Sequence, residues 1–390
     1  MIQFDFAENC CGCRACENIC PANAIHMTED NSGFLYPSID SNQCLKCGLC
    51  DIVCPYLNAE KNRINKGIPV AWLYASEHDE IKLRSASGGA FYELAHRAIK
   101  EGYNIVGCAW NSELNAEHIV INAENELKRL QGSKYVQSDV KNCYAELKEM
   151  LLNGKKVLFS GTPCQVEAAH NMAMILESGK CREQLLTVAV ICHGVATPKA
   201  WNSYKTYLQK THGSRLVNVN FRNKEKEGYK KSYCKYDFEN SDVIYLPTFL
   251  PSSKYMEATL VYNLAMRKSC SQCSSKGIST ACDIVLGDWY EEHTGKGVLG
   301  TSCLVAFTER GKSVVLDYLD NLREISYEEI VEKNGFIENS VTLGINRDEF
   351  LSNLDDIDMW DDVERLYPKK YIIKRFLIRV GLYDVIKKFI

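Results

Sequence analysis

The sequence lacks any apolar run long enough to cross a bilayer. Its best stretch, Leu185 to Cys192, is eight residues, against the roughly 18 of a spanning helix. The opening MIQFDFAENC has neither the basic flank nor the apolar region of a secretory leader, so the reading predicts a cytoplasmic chain. Basic charge is not in excess: 46 Lys and Arg stand against 50 Asp and Glu, a formal charge of -4, which argues against nucleic acid as a partner. The remaining balance, 46% apolar and 25% charged over 390 residues, is that of a globular protein of two or three domains. Only cysteine is out of proportion, at 19. In a reducing compartment that richness points to metal or redox chemistry instead of a disulfide frame.

Nine of the cysteines lie before residue 55. Cys10, Cys13, Cys16 and Cys20 are followed by Pro21; Cys44, Cys47, Cys50 and Cys54 are followed by Pro55, each offset by 34 residues. Each half reads C-x2-C-x2-C-x3-C-P, the bacterial run for [4Fe–4S] ligation, in which the fourth cysteine serves the other cube. One cluster is therefore expected on Cys10, Cys13, Cys16 and Cys54, and a second on Cys44, Cys47, Cys50 and Cys20. Closely spaced thiolates on a tight loop can cap one cube, with Gly12 and Gly48 easing the backbone. The competing reading is a pair of zinc knuckles, which four cysteines per half and a closing proline disfavour. Cys11 is spare and reads as a bystander. Residues 1–60 resemble two-cluster ferredoxins.

After a polar linker at 58–68, strand-like segments alternate with helical ones: strands at 69–75, 103–110, 155–160 and 185–191, helices at 91–100, 165–177 and 198–210. The alternation implies α/β organisation with partly parallel pairing. Beyond about residue 215 the signals weaken to candidate strands at 216–222, 283–286 and 303–308. Residues 69–345 are expected to form one domain. Residues 346–390 follow as an acidic stretch and a basic amphipathic helix, with Ile372, Phe376, Val380, Tyr383, Ile386 and Phe389 at helical spacing. That helix either docks on the protein's own core or lies on anionic lipid as a peripheral membrane contact.

Gly295, Gly297 and Gly300 match a dinucleotide fingerprint, but a polar stretch precedes them and a strand follows, the reverse of the context required. Arg84, Ser85, Ser87, Gly88 and Gly89 open a helix and read either as an ordinary cap or as an anion cradle. Ser133, Lys134 and Tyr135 are equally ambiguous. Lone histidines such as His118 and His193 are more often structural than catalytic, and no catalytic residue is assigned. Cys164 and Cys192 each follow a predicted strand, so in an open α/β sheet they share the crevice where ligands bind. With the C-x2-C pair Cys270 and Cys273 they form either a shared metal site or unrelated buried thiols.

The stretches RSASGGAF, GSKYVQS, VLFSGTPCQV, ICHG, FRNK and CSQC followed by DIVLGD resemble the coenzyme F-420 hydrogenase/dehydrogenase beta-subunit family across about residues 70–310. The wording GTPCQ and CHG is most similar to members found with bacterial surface-polysaccharide genes. The resemblance implies an α/β flavoprotein domain holding FAD and a further [4Fe–4S] cluster. It makes Cys164, Cys192, Cys270 and Cys273 the third ligand set, and Arg84 to Gly89 with Ser133 to Tyr135 the flavin surround. Cys282 stands where another residue type is expected and blurs that ligand choice. The function implied is an oxidoreductase fed by reduced ferredoxin or a similar donor and acting on a small organic substrate. The alternatives are exchange with coenzyme F-420, and a non-catalytic electron-transfer subunit. FAD and FMN are not distinguished by sequence.

Overall fold

The computed structural model describes residues 2, 6–62, 69–229, 231–248, 253–277, 280–290, 298–369, 372–373 and 377–378. Most of the basic helix expected at the C-terminus, and Gly295 and Gly297 of the glycine motif, lie outside the described residues. Among the described residues no helix is long and apolar enough to cross a membrane.

The front module is built on an antiparallel hairpin, β1 (Ile25–Glu29) and β2 (Leu35–Ile39), with Ile25 opposite Ile39. Two short helices, Ala15–Ile19 and Leu49–Val53, carry the cysteine runs. The hairpin tip is pinned: a Cβ on Gly33 would lie 2.4 Å from Lys199 Cβ, and Thr197 Oγ1 donates to the Ser32 carbonyl.

Behind it stands an eight-stranded mixed sheet. Its strands are β3 (Val70–Tyr74), β4 (Asn104–Trp110), β5 (Ala116–Ile121), β6 (Val157–Gly161) and β7 (Leu185–Val190). A separate three-stranded antiparallel sheet holds β8 (Leu216–Asn223), β9 (Tyr233–Phe238) and β10 (Val243–Pro247). The large sheet resumes with β11 (Ile284–Trp289), β12 (Thr301–Ala306) and β13 (Arg323–Ile325), giving the order β13-β3-β12-β11-β7-β6-β4-β5. The central strands β4, β6, β7 and β11 are parallel, and the flanking pairs are antiparallel.

Both faces are covered, as the near-continuous apolar runs of the central strands require. Leu186 and Val188 face a layer that includes helix Ala90–Lys100, whereas Leu185 and Ala189 face helices Cys143–Leu152 and Pro163–Ile175. Ile19 and Val53 of the front module join that second layer. A further core gathers helix Pro198–His212, the small sheet and Phe350, Trp360, Val363 and Leu366. The acidic stretch expected to stand apart from 69–345 thus packs on the small sheet's core through the apolar residues spaced among its carboxylates.

Asp283, at the start of β11, ties this framework together. It accepts from Arg182 Nη2 at 2.7 Å, Thr187 N at 2.9 Å, and the hydroxyls of Thr187 and Thr308 at 2.8 Å each. Those bonds hold its carboxyl below the ordinary range against the penalty of burial, with the Arg182 charge the largest favourable cause.

Candidate metal centres

The two cysteine runs fold alike. Gly12 and its counterpart Lys46 are left-handed, at φ 68° and 54°, and so are Arg14 and its counterpart Gly48, at φ 65° and 76°. Glycine takes such a backbone at little cost; Arg14 is held there by bonds to Glu17 and Asp139. The turns aim backbone N–H groups at thiols: Gly12 N lies 3.3 Å from Cys10 Sγ, Lys46 N 3.4 Å from Cys44 Sγ, and Ala24 N 3.3 Å from Cys20 Sγ. Each short helix ends on a cysteine, Cys20 or Cys54, in extended conformation.

The thiols surround two hollows. One is lined by Cys20, Cys44, Cys47 and Cys50, the other by Cys10, Cys11, Cys13, Cys16 and Cys54. The last cysteine of each run therefore crosses to the hollow of the other. Empty space in them amounts to about 380 and 370 Å³, solvent-open volume included. Among the described residues no three His, Cys, Asp or Glu side chains close on a single-ion point.

The hollows differ in exposure. Cys47 is exposed. Burial pushes up the thiols of Cys10 and Cys16, and raises Cys54 to about 11. A cationic iron core would invert that penalty, because a coordinating thiol is deprotonated by its metal. The buried, mutually repelling thiols fit such a group.

Cys164 and Cys192 follow β6 and β7, and the loop after Cys192 meets the segment of Cys270: Arg267 N donates to the Val195 carbonyl at 2.9 Å, and a Cβ on Gly194 would lie 3.4 Å from Cys270 Cβ. Cys164 sits in the first turn of a helix capped by Thr162 and Gln165. Cys270 lies on the turn Lys268–Gln272 and Cys273 ends it, with Ser340 Oγ 3.0 Å from Cys273 N. Burial first, then Cys270, Cys164 and Cys273, push the Cys192 thiol up. Cys270 rises to about 11 and Cys273 to about 12, burial again leading. Cys282 is separate: it is buried in the sheet's core and receives the Thr280 hydroxyl at 2.9 Å.

Cys11 stands electrostatically between the two groups: the Cys13 thiol is the first cause that pushes the Cys11 thiol up, and Cys164 acts in the opposite direction. The Cys11 carbonyl accepts from Gln137 Nε2 at 2.9 Å.

The two segments read as a flavin surround are neighbours. Gln131 donates to Ser85 Oγ at 3.0 Å, and a Cβ on Gly132 would lie 3.7 Å from the Arg84 carbonyl. Arg84 is exposed, and Gly89 caps helix Ala90–Lys100 at φ 94°. Gly88 has a packing reason: a Cβ there would meet Tyr74 O at 2.4 Å and Ser302 N at 2.6 Å, and its N–H donates to Ser302 Oγ. Ser87 donates to the Thr301 carbonyl. Lys134 Nζ is turned onto the carbonyls of Gln131, Gly132 and Arg129. The Tyr135 carbonyl accepts from the Tyr255 hydroxyl at 2.8 Å.

Sequence reasoning missed the cations beside Ser87. Lys224 Nζ donates to Ser87 O at 2.8 Å and Leu299 O at 2.6 Å, and burial followed by Arg222 lowers it to about 7. Arg222 pairs with Asp288 at 3.3 Å, lies over the Tyr229 ring and approaches the Tyr135 hydroxyl at 3.4 Å. The only signal was the FRNK stretch itself. His118 and His193 are committed elsewhere: His118 Nε2 lies 3.1 Å from Ser160 O, and burial lowers it to about 4; His193 Nε2 lies 2.7 Å from Asn263 Oδ1.

Thiol-lined hollows on a duplicated cysteine run, set against an α/β sheet, define an iron–sulfur protein of electron transfer. Residues 9–58 match the family model of the 4Fe-4S dicluster domain, and residues 154–333 match that of the carboxyl-terminal part of the coenzyme F420 hydrogenase/dehydrogenase beta subunit. The two matches follow one another along the chain in the order that the motifs implied. It is 48% identical over 46 residues to a subunit of the ion-translocating oxidoreductase complex of Methanosarcina acetivorans, covering 12% of this chain and 16% of that protein. It is 39% identical over 62 residues to the probable anaerobic dimethyl sulfoxide reductase chain YnfG of Escherichia coli, covering 15% and 28%. The matches thus span under a third of those relatives. A chain in a xenon-derivatised structure of the F420-reducing [NiFe] hydrogenase complex from Methanosarcina barkeri aligns over 76% of this chain and 90% of that chain. The sequence identity is 18% and the TM-score 0.45.

Proposed function

We propose that the chain is an iron–sulfur flavoprotein oxidoreductase that takes single electrons from reduced ferredoxin or a similar carrier and delivers them in pairs to a small organic molecule. In this reading Cys20, Cys44, Cys47 and Cys50 hold one [4Fe–4S] cluster and Cys10, Cys13, Cys16 and Cys54 a second. Cys164, Cys192, Cys270 and Cys273 hold a third. Such clusters supply one-electron transfer, and a flavin such as FAD supplies the two-electron step. The observation that carries the reading is the docking of the first cysteine loop on the segment of the C-x2-C pair: Ser269, next to Cys270, donates to the Cys10 carbonyl at 3.0 Å, and Arg267 does so at 2.6 Å.

The chain's own residues divide the remaining work. Cys47 lies at the solvent-facing hollow, where a carrier has access. Arg84, Ser85, Ser87, Gly88 and Gly89 with Ser133, Lys134 and Tyr135 form the flavin surround. Lys224, not Lys134, is the cation placed beside Ser87 to favour an anion there. The acid–base residue is unassigned.

A second reading is favoured by the beta-subunit match over residues 154–333: coenzyme F-420 would exchange hydride with the flavin and electrons would leave through the front module. A third, an electron-transfer subunit without its own substrate, is favoured by relatives that are named as parts of larger complexes. Anaerobically purified protein should be mixed with reduced ferredoxin, F-420H2 and NADH in parallel while flavin absorbance is followed. Bleaching by ferredoxin supports the first reading, and bleaching by F-420H2 the second. Dependence on an added partner chain supports the third. Rapid bleaching by NADH alone would remove the first two.

A further inference from the structure

Arg267 is fully buried, at 0% exposure, three residues before Cys270. Its fork is spent on neutral acceptors. Nε donates to the Cys10 carbonyl at 2.6 Å, Nη1 to Gln137 Oε1 at 3.2 Å, and Nη2 to the Leu35 carbonyl at 2.8 Å. The guanidinium lies 5.1 Å from the centre of the Phe34 ring and 4.4 Å from that of Tyr36. Among the described residues no carboxylate pairs with it.

Neutral acceptors satisfy the hydrogen bonds of a guanidinium but not its charge, and a buried charge without a counter-charge is costly. The group therefore calls for an anion nearby. Carboxylates do not supply it; the thiols do. Arg267 sits on the Cys10 backbone, with Nε 2.6 Å from that carbonyl, and its charge acts on the thiols of both Cys10 and Cys270. The loop is shaped to admit it: a Cβ on Gly12 would stand 2.7 Å from Nη1. A four-iron cube on four thiolates is a net anion and gains a further negative charge on reduction, so net charge helps set its potential.

We propose that Arg267 is the counter-charge of the cluster held by Cys10, Cys13, Cys16 and Cys54, and that it raises that cluster's potential against the effect of burial so that electrons can step inward. The inference rests on the ligand reading above. Arg267 acts through the cluster's environment, as a positioning and charge-compensating residue. Arg267 lines neither hollow and acts from behind the Cys10 loop; the matching hollow of Cys20, Cys44, Cys47 and Cys50 has the exposed Lys46 in its lining in place of a buried cation.

The test is an anaerobic redox titration of the full chain followed by electron paramagnetic resonance. The relevant centre is identified as the one that Cys16→Ser removes. Arg267→Gln is expected to weaken electron uptake by that centre about tenfold or more, which is 59 mV downward for a one-electron couple. The other front centre should move less. Arg267→Lys keeps a charge and should retain most of the wild-type potential. Gln137→Glu leaves the arginine in place but sets a carboxylate against it, and should also shift the centre downward. Unmoved potentials in Arg267→Gln and Gln137→Glu would overturn the inference. So would an Arg267→Lys shift as large as that of Arg267→Gln, because geometry would then be responsible. Fewer than about eight irons in the unsubstituted chain, the content of two four-iron cubes, would overturn the ligand reading and this inference with it.

Discussion

Ser269 donates to the Cys10 carbonyl at 3.0 Å, joining the first cysteine loop of the chain to the turn that carries Cys270 and Cys273. In that loop Cys11 is electrostatically coupled to Cys164, in the first turn of the helix after β6. Cys11→Ala should leave iron content and cluster spectra unchanged, while slowing the transfer of electrons from the front module to the interior about tenfold. Stopped-flow reduction by ferredoxin, compared with the iron content of the same sample, checks both parts.

Replacement of Cys164 or Cys270 by Ser should remove about four of about 12 irons, the sum of three four-iron cubes, and spare the front clusters. Ferredoxin oxidation should then no longer be coupled to flavin reduction. Full iron content with unchanged flavin reduction in both variants would refute the assignment.

Gly12 and Gly48 have similar positive φ but different surroundings. A Cβ on Gly12 would collide with Arg267 Nη1 at 2.7 Å, whereas one on Gly48 would meet nothing within 4 Å. Its counterpart Arg14 already shows that a side chain is tolerated at that backbone position. Gly12→Ala should therefore lose the Cys10-side cluster, and Gly48→Ala should cost only about 1 kcal/mol of backbone strain. Iron content and thermal unfolding of the two variants separate the cases.

His118 has a folded value near 4, below the ordinary 6.5, because its ring is buried. The unfolded chain binds more protons between those values, so stability falls as pH drops from about 6.5 and the penalty is complete below about 4. A shift of this size corresponds to stability on the order of 3 kcal/mol. His118→Gln should flatten that acid limb, as read from urea midpoints at pH 7 and pH 5.

Asp283→Asn should destabilise the chain by about 3–5 kcal/mol, because Arg182 would lose its counter-charge in a buried pair. Urea unfolding of wild type and variant measures it directly.

The central strands were legible because each is an uninterrupted apolar run covered on both faces, as at Leu185–Val190. Of the small sheet only β8 was legible, as the candidate strand at 216–222; Tyr233–Phe238 alternates buried Cys234, Tyr236 and Phe238 with Lys235 and Asp237, and the polar half masks the strand. For the cysteine runs the same logic holds at the site. Their local spacing forces a turn geometry, so the order of thiols around each hollow can be read from sequence alone. Arg267 and Lys224 act through contacts made only after distant segments dock, and apart from the FRNK stretch around Lys224 nothing next to them in the chain marks them.

The front module is fastened to the sheet from several sides. Asn18 donates to the Lys141 carbonyl at 2.9 Å and accepts from Ala145 N at 3.1 Å. Ser269 donates to the Cys10 carbonyl at 3.0 Å, and Gln137 to that of Cys11 at 2.9 Å. Ile19 and Val53 sit in the sheet's own core. A module held in this way is a fixed inlet, not a swinging arm that collects charge in one place and unloads it in another. In the proposed function the traffic has to come to it, so turnover would be paced by how fast carriers arrive at and leave the Cys47 side.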